Sequence, residues 1–123
     1  MKFTLESASG GNLIRAYAAD EIRIGEQIIR SSCIVAADTL ISSWRPASFD
    51  ELTEADLAPI FALQPELVLL GTGPRQRFAS AAVRGVFAAR RVGIESMDLG
   101  AACRTFNILV QEERRVAAAL FLR

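Results

Sequence analysis

The stretch ELVLLGTGPRQRF, residues 66–78, holds the residue types best spaced for chemistry. A continuous apolar run reads as a buried strand, and it breaks at Gly71, Thr72 and Gly73. A Gly-x-Gly turn between a strand and a helix can direct backbone N–H groups toward a phosphate or carboxylate. Arg75, Gln76 and Arg77 follow at once, and the two arginines would add charge-assisted hydrogen bonds. Glu95 stands 22 residues after Gly73, about where a dinucleotide site places its ribose-binding acid. The pattern is incomplete. Gln76 replaces the third glycine of G-x-G-x-x-G, Pro74 removes an amide donor, and the Lys-Ser/Thr pair of a phosphate loop is missing. A turn that needs two glycines merely to pass from strand to helix accounts for the same letters.

Arg77, Arg84 and Arg91 recur at helical spacing and form a second candidate, a docking face for an acidic partner. A solvated helix face explains them equally. Asn107 lies inside RTFNIL, at the edge of an apolar stripe. Asparagine is unfavourable in a helix interior, so a structural hydrogen bond to a neighbouring loop's backbone is expected there.

Composition removes most catalytic options. There is no histidine, which excludes Ser-His and Cys-His nucleophile pairs and nearly all common zinc sites. Cys33 and Cys103 lie far apart in apolar runs and read as buried thiols. No carboxylate pair stands out as acid and base. No catalytic residue, metal or cofactor is therefore expected.

The 123 residues suit one domain, and 51% apolar with 23% charged residues is a globular composition. Fourteen basic residues balance fourteen acidic ones, which argues against a nucleic-acid partner. The halves differ: residues 1–66 carry −5 and residues 67–123 carry +5, so they are expected to fold together. The start, MKFTLESASGG, has no signal-peptide pattern, and no apolar run is long enough to span a membrane. A cytoplasmic protein is expected.

The elements that must position these residues divide near Trp44. Residues 1–45 read as short strands in an antiparallel meander: 13–17, 22–24, a single apolar run 27–36, and 40–44. Thr53 to Asp56 resembles a capping box opening a helix to about Leu63, with Pro59 either kinking it or lying in its first turn. Then strand 66–70, helix 76–91, strand 94–97, helix 99–112 and strand 116–122 alternate. The first helix should bury Phe78, Ala82, Val86 and Ala89; the second should bury Leu99, Ala102, Cys103, Phe106, Leu109 and Val110. Trp44 and Phe49 are candidates for a homo-oligomer interface.

The strings ELVLLGTG and GIESMDLGAACRTFNILVQEERRVAAALFL resemble the small single-domain family that includes mitochondrial complex I assembly factor 3 and the adipogenesis-associated Mth938 domain-containing proteins. Gly71, Thr72 and Gly73 stand at that family's glycine turn, and Met97, Ala101, Ala102, Thr105, Asn107 and Arg115 match its C-terminal pattern. Leu99 departs where a Thr is expected, and Glu113 where many relatives have Gly. The resemblance implies an α/β fold: a three-layer single domain over residues 1–123, with a central mixed sheet, helices packed on it and an N-terminal antiparallel β-hairpin or meander. It implies no catalytic activity. The expected function is a non-catalytic, assembly-factor-like domain that binds a protein partner, linked to respiratory complex assembly. The alternative is a small-anion or nucleotide-binding protein, or an unrecognised enzyme, using the 71–77 loop.

Overall fold

The computed structural model describes residues 11–122. The N-terminal decapeptide, on which the targeting expectation rests, lies outside the described residues.

Alternation builds the first sheet. In β2 (Glu21–Ile24) Ile22 and Ile24 are buried while Arg23 faces solvent. It pairs antiparallel with β1 (Ile14–Ala18) on one side and β3 (Gln27–Ile29) on the other. Gly25, at φ 58°, supplies the left-handed residue of the β2–β3 turn.

The apolar run 27–36 is not one strand. It divides into β3 and β4 (Cys33–Ala36), which belong to different sheets. Ser31 and Ser32 make the break, donating their hydroxyls to the carbonyls of Ser42 and Ala47 at 2.9 and 3.2 Å. Those long-range partners leave no trace in the local sequence.

The second sheet has the order β5-β4-β8-β6-β7, with β5 Thr39–Ile41, β6 Leu67–Gly71, β7 Gly93–Met97 and β8 Val116–Leu120. β6 is parallel to both β7 and β8, and β8 is antiparallel to β4. The sheet is therefore mixed, as expected. The last strand ends at Leu120 rather than 122.

Two cores cover its faces. Leu69, Val35, Ala118 and Leu120 pack with helix α3 (Leu99–Gln111) and the three-stranded sheet. Val68, Leu70, Ile34 and Phe121 pack with helix α2 (Ala81–Arg90) and the segment before β6. That makes three layers. Alanines 117–119 in β8 let both outer layers approach closely.

Trp44 and Phe49 are buried in the second core rather than exposed for an oligomer. Their rings lie 5.2 and 5.5 Å from that of Phe121. The segment after Thr53 forms a 3-10 turn, Glu54–Leu57, and then a short helix α1, Ala58–Phe61, with Pro59 in its first turn. It ends before Leu63.

Helix α2 also starts later than its periodicity suggests. Ser80 caps it, accepting from the Val83 N–H at 3.2 Å, so residues 76–79 are loop. The helical phase moves accordingly. Val83 and Phe87 are buried, Val86 is half-buried, Ala82 and Ala89 are exposed, and Phe78 lies outside the helix. In α3 the expected positions are buried, with Leu109 half-buried and Gly100 buried as well.

Candidate functional site

The chain leaves β6 and β7 at the same end of the sheet but toward opposite faces. The loop after β6 leads to α2 in the second core; the turn after β7 leads to α3 in the first. Such a divergence opens a crevice at the carboxyl ends of parallel strands. Here it is a cleft of about 620 Å³ whose lining includes Tyr17, Gly73, Pro74, Asp98, Leu99 and Arg104.

Glycines allow the close approaches around it. A Cβ on Gly71 would lie 2.9 Å from Leu120 Cδ2 and 3.0 Å from Ala102 Cβ, so a side chain there would collide with packed core. A Cβ on Gly100, in the first turn of α3, would lie 2.6 Å from the Tyr17 hydroxyl. Gly73 has φ 100°, a conformation that favours glycine, and its carbonyl accepts from the Leu99 N–H at 2.8 Å.

Thr72 closes the loop from inside. Its amide donates to Met97 O at 2.8 Å, and its hydroxyl lies 2.6 Å from Arg75 O. The Thr72 hydroxyl oxygen accepts from the Arg77 N–H at 3.0 Å. The helix that follows begins only after this closed loop, with its cap at Ser80.

The named site residues separate in space. Gly71, Thr72 and Gly73 form the turn, and Arg75 and Gln76 are exposed beyond it. Arg77 pairs with Asp50 and lies 5.0 Å over the Phe49 ring. The Arg77 guanidinium, by hydrogen bond first and by charge, holds the Asp50 carboxyl below its ordinary value. Glu95 is exposed on edge strand β7.

Of the three arginines at helical spacing, only Arg84 belongs to the body of α2; its Nε donates to Ala79 O at 3.1 Å. Arg91 is the left-handed C-cap, at φ 59°. Asn107 bonds both backbone groups of Ile14, in a strand rather than a loop. Both cysteines are buried free thiols, and burial pushes each up to about 12, with Cys103 adding to the effect at Cys33. Among the described residues no group of three or more His, Cys, Asp or Glu is placed to hold a metal.

Two features go beyond the sequence pattern. Phe78 is 77% exposed, although its place in the expected helix put it on the buried side. Ser80 followed by an alanine pair is the capping signal that marks the later helix start and the shifted phase. The Tyr17–Gly100 contact joins segments too distant for any local pattern to reveal.

A family described as "Protein of unknown function (DUF498/DUF598)" matches residues 14–121. The chain belongs to this family. This DUF498/DUF598 chain is 31% identical over 117 residues to the zebrafish protein named NADH dehydrogenase [ubiquinone] 1 alpha subcomplex assembly factor 3, covering 94% of the chain and 67% of that protein. It spans 59% of the human protein of that name, at 28% identity.

Solved structures share its architecture. One from Xanthomonas campestris superposes with a TM-score of 0.83 at 36% identity, over 99% of this chain and 92% of that one. A Bordetella pertussis protein described as a Mth938-like domain gives a TM-score of 0.83 at 28% identity, over 98% and 92%. The three-layer α/β expectation therefore holds for this DUF498/DUF598 chain. Among its described residues no helix is long and apolar enough to cross a membrane.

Proposed function

We propose that the chain is a non-catalytic, cytoplasmic protein-binding domain that acts in assembly of a respiratory NADH dehydrogenase. The name of its zebrafish relative supports the assembly role. The observation that carries the binding role is Phe78, a large aromatic side chain 77% exposed on a loop fastened by Thr72. An aromatic residue presented at low entropic cost is the kind of anchor that dominates protein interfaces.

The surroundings favour an acidic partner. Residues 67–94 carry Arg75, Arg77, Arg84, Arg90 and Arg91 and no Asp or Glu. Arg84, whose Nε reaches Ala79 O beside Phe78, makes no ion pair among the described residues, so its charge remains for the rim of an interface. Arg77 belongs to the same face but also holds the loop to Asp50.

Co-purification from the native host tests this reading. A partner retained by the wild type should be lost with Phe78→Ala and with Arg84→Glu. A partner set unchanged by both variants would contradict it. A second reading, ligand binding at the 71–77 loop, draws support from Gly73 and Pro74 lining the cleft.

A further inference from the structure

The cleft at the ends of β6 and β7 holds an arrangement that packing alone does not explain. Tyr17 is 44% exposed, yet its ring lies so close to α3 that a Cβ at position 100 would push it aside. A tightly seated aromatic that stays half in solvent adds little to the core. Its hydroxyl oxygen accepts from Arg104 Nη1 at 2.9 Å, and the phenolic proton has no acceptor among the described residues.

Arg104 has no carboxylate within ion-pair distance among the described residues. Its remaining N–H donors have no acceptor among them. Two convergent donors, one charged, thus stand at the rim of the cleft. Pro74, Leu99 and Leu122 supply apolar wall. Asp98, the one acidic residue in the lining, accepts from the Ala101 N–H at 2.9 Å. The volume, about 620 Å³, is that of a small-molecule site.

We infer that this cleft binds a small molecule with an apolar body and one carboxylate. The body lies against Pro74, Leu99 and Leu122. The carboxylate accepts from the Arg104 guanidinium and the Tyr17 hydroxyl, a charge-assisted pair. This deepens the ligand-binding reading of the glycine loop, because Gly73 and Pro74 belong to the cleft. It does not depend on the docking face, since neither Phe78 nor Arg84 lines the cleft.

The test is a titration of the full chain, followed by backbone amide NMR shifts, with octanoate, octanol and acetate in parallel. Octanoate should give saturable shifts at Tyr17, Gly73, Gly100 and Arg104. Octanol, which keeps the apolar body, and acetate, which keeps the charge, should each bind at least tenfold more weakly. Arg104→Gln should bring octanoate down to the level of octanol. Tyr17→Phe, which keeps the ring over Gly100, should weaken it severalfold and supplies the answer if Arg104→Gln does not fold. The inference is overturned if octanoate gives no saturable shifts, if they map elsewhere, if octanol matches octanoate, or if Tyr17→Phe binds as the wild type does. Loss of partner capture by Phe78→Ala would leave each of these results unchanged, so the two readings fail separately.

Discussion

Asn107, in the middle of α3, holds both backbone polar groups of Ile14, 93 residues earlier. Its Oδ1 accepts from the Ile14 N–H and its Nδ2 donates to the Ile14 carbonyl, each at 2.8 Å. The side-chain amide thus acts as a one-residue strand partner and ties the three-stranded sheet to the helix. The register of β1 against β2 shifts between Ile14 and Ala16, next to this clamp.

Removing the clamp should be costly. Asn107→Ala leaves a donor and an acceptor on buried Ile14 without partners, at about 1–3 kcal/mol for each such group. Discounting for water reaching the site, chemical denaturation should show a loss of about 2–4 kcal/mol. Asn107→Asp can accept but not donate, and should lie between. A loss below about 0.5 kcal/mol for Asn107→Ala, the size of an ordinary surface substitution, would contradict this role.

Two glycines should respond in opposite directions. A Cβ on Gly71 meets Leu120 and Ala102 within the core, so Gly71→Ala should destabilise by about 1–3 kcal/mol through overpacking. A Cβ on Gly85, inside α2, would meet nothing within 4 Å. Gly85→Ala should therefore stabilise by about 0.5–1 kcal/mol through helix propensity. Thermal unfolding of both variants reads the two signs directly.

Asp56 should make stability fall at low pH. It is buried, and its carboxylate accepts from Arg45 Nε at 2.6 Å and Nη2 at 2.7 Å, and from the Thr53 N–H at 2.8 Å. The Arg45 hydrogen bonds, opposed by burial and aided by Thr53, bring it down to about 2 from an ordinary 3.8. A depressed carboxyl stabilises the fold above its unfolded value, and that contribution disappears as pH falls from about 4 to about 2. Arg45 is more than half exposed, so solvent screening reduces the effect to about 1–2 kcal/mol. Denaturant midpoints at pH 6 and pH 2 should converge for wild type and Asp56→Asn at the lower pH. An equal gap at both would show that Asp56 contributes no such dependence.

What the sequence disclosed and what it hid follow from the range of the interactions. The alternation from β6 to β8 was legible because each element carries its own apolar period, and buried positions of α3 such as Phe106 and Val110 follow from 3.6-residue spacing. The start of α2 shows in the sequence only as the Ser80 cap, because the apolar period runs on through residues 76–79 while Thr72 holds residues 72–77 in a closed loop through Arg75 and Arg77 and ties it to Met97. The break between β3 and β4 depends on serine partners more than ten residues away. The cleft needs Tyr17 and Gly100 together, a pairing that exists only once the two sheets are folded. Glu113 shows the converse: at φ 62° it occupies a left-handed position, which accounts for the glycine expected there.

Site-specific crosslinking tests the docking reading most directly. A photo-crosslinking phenylalanine analogue replaces Phe78 in the native host, and a second strain carries it at exposed Glu26 as the control. One dominant protein adduct is expected from position 78, absent from position 26 and diminished when Arg84→Glu is added. Adducts that are absent at 78, or the same at both positions, would contradict a partner face built around Phe78.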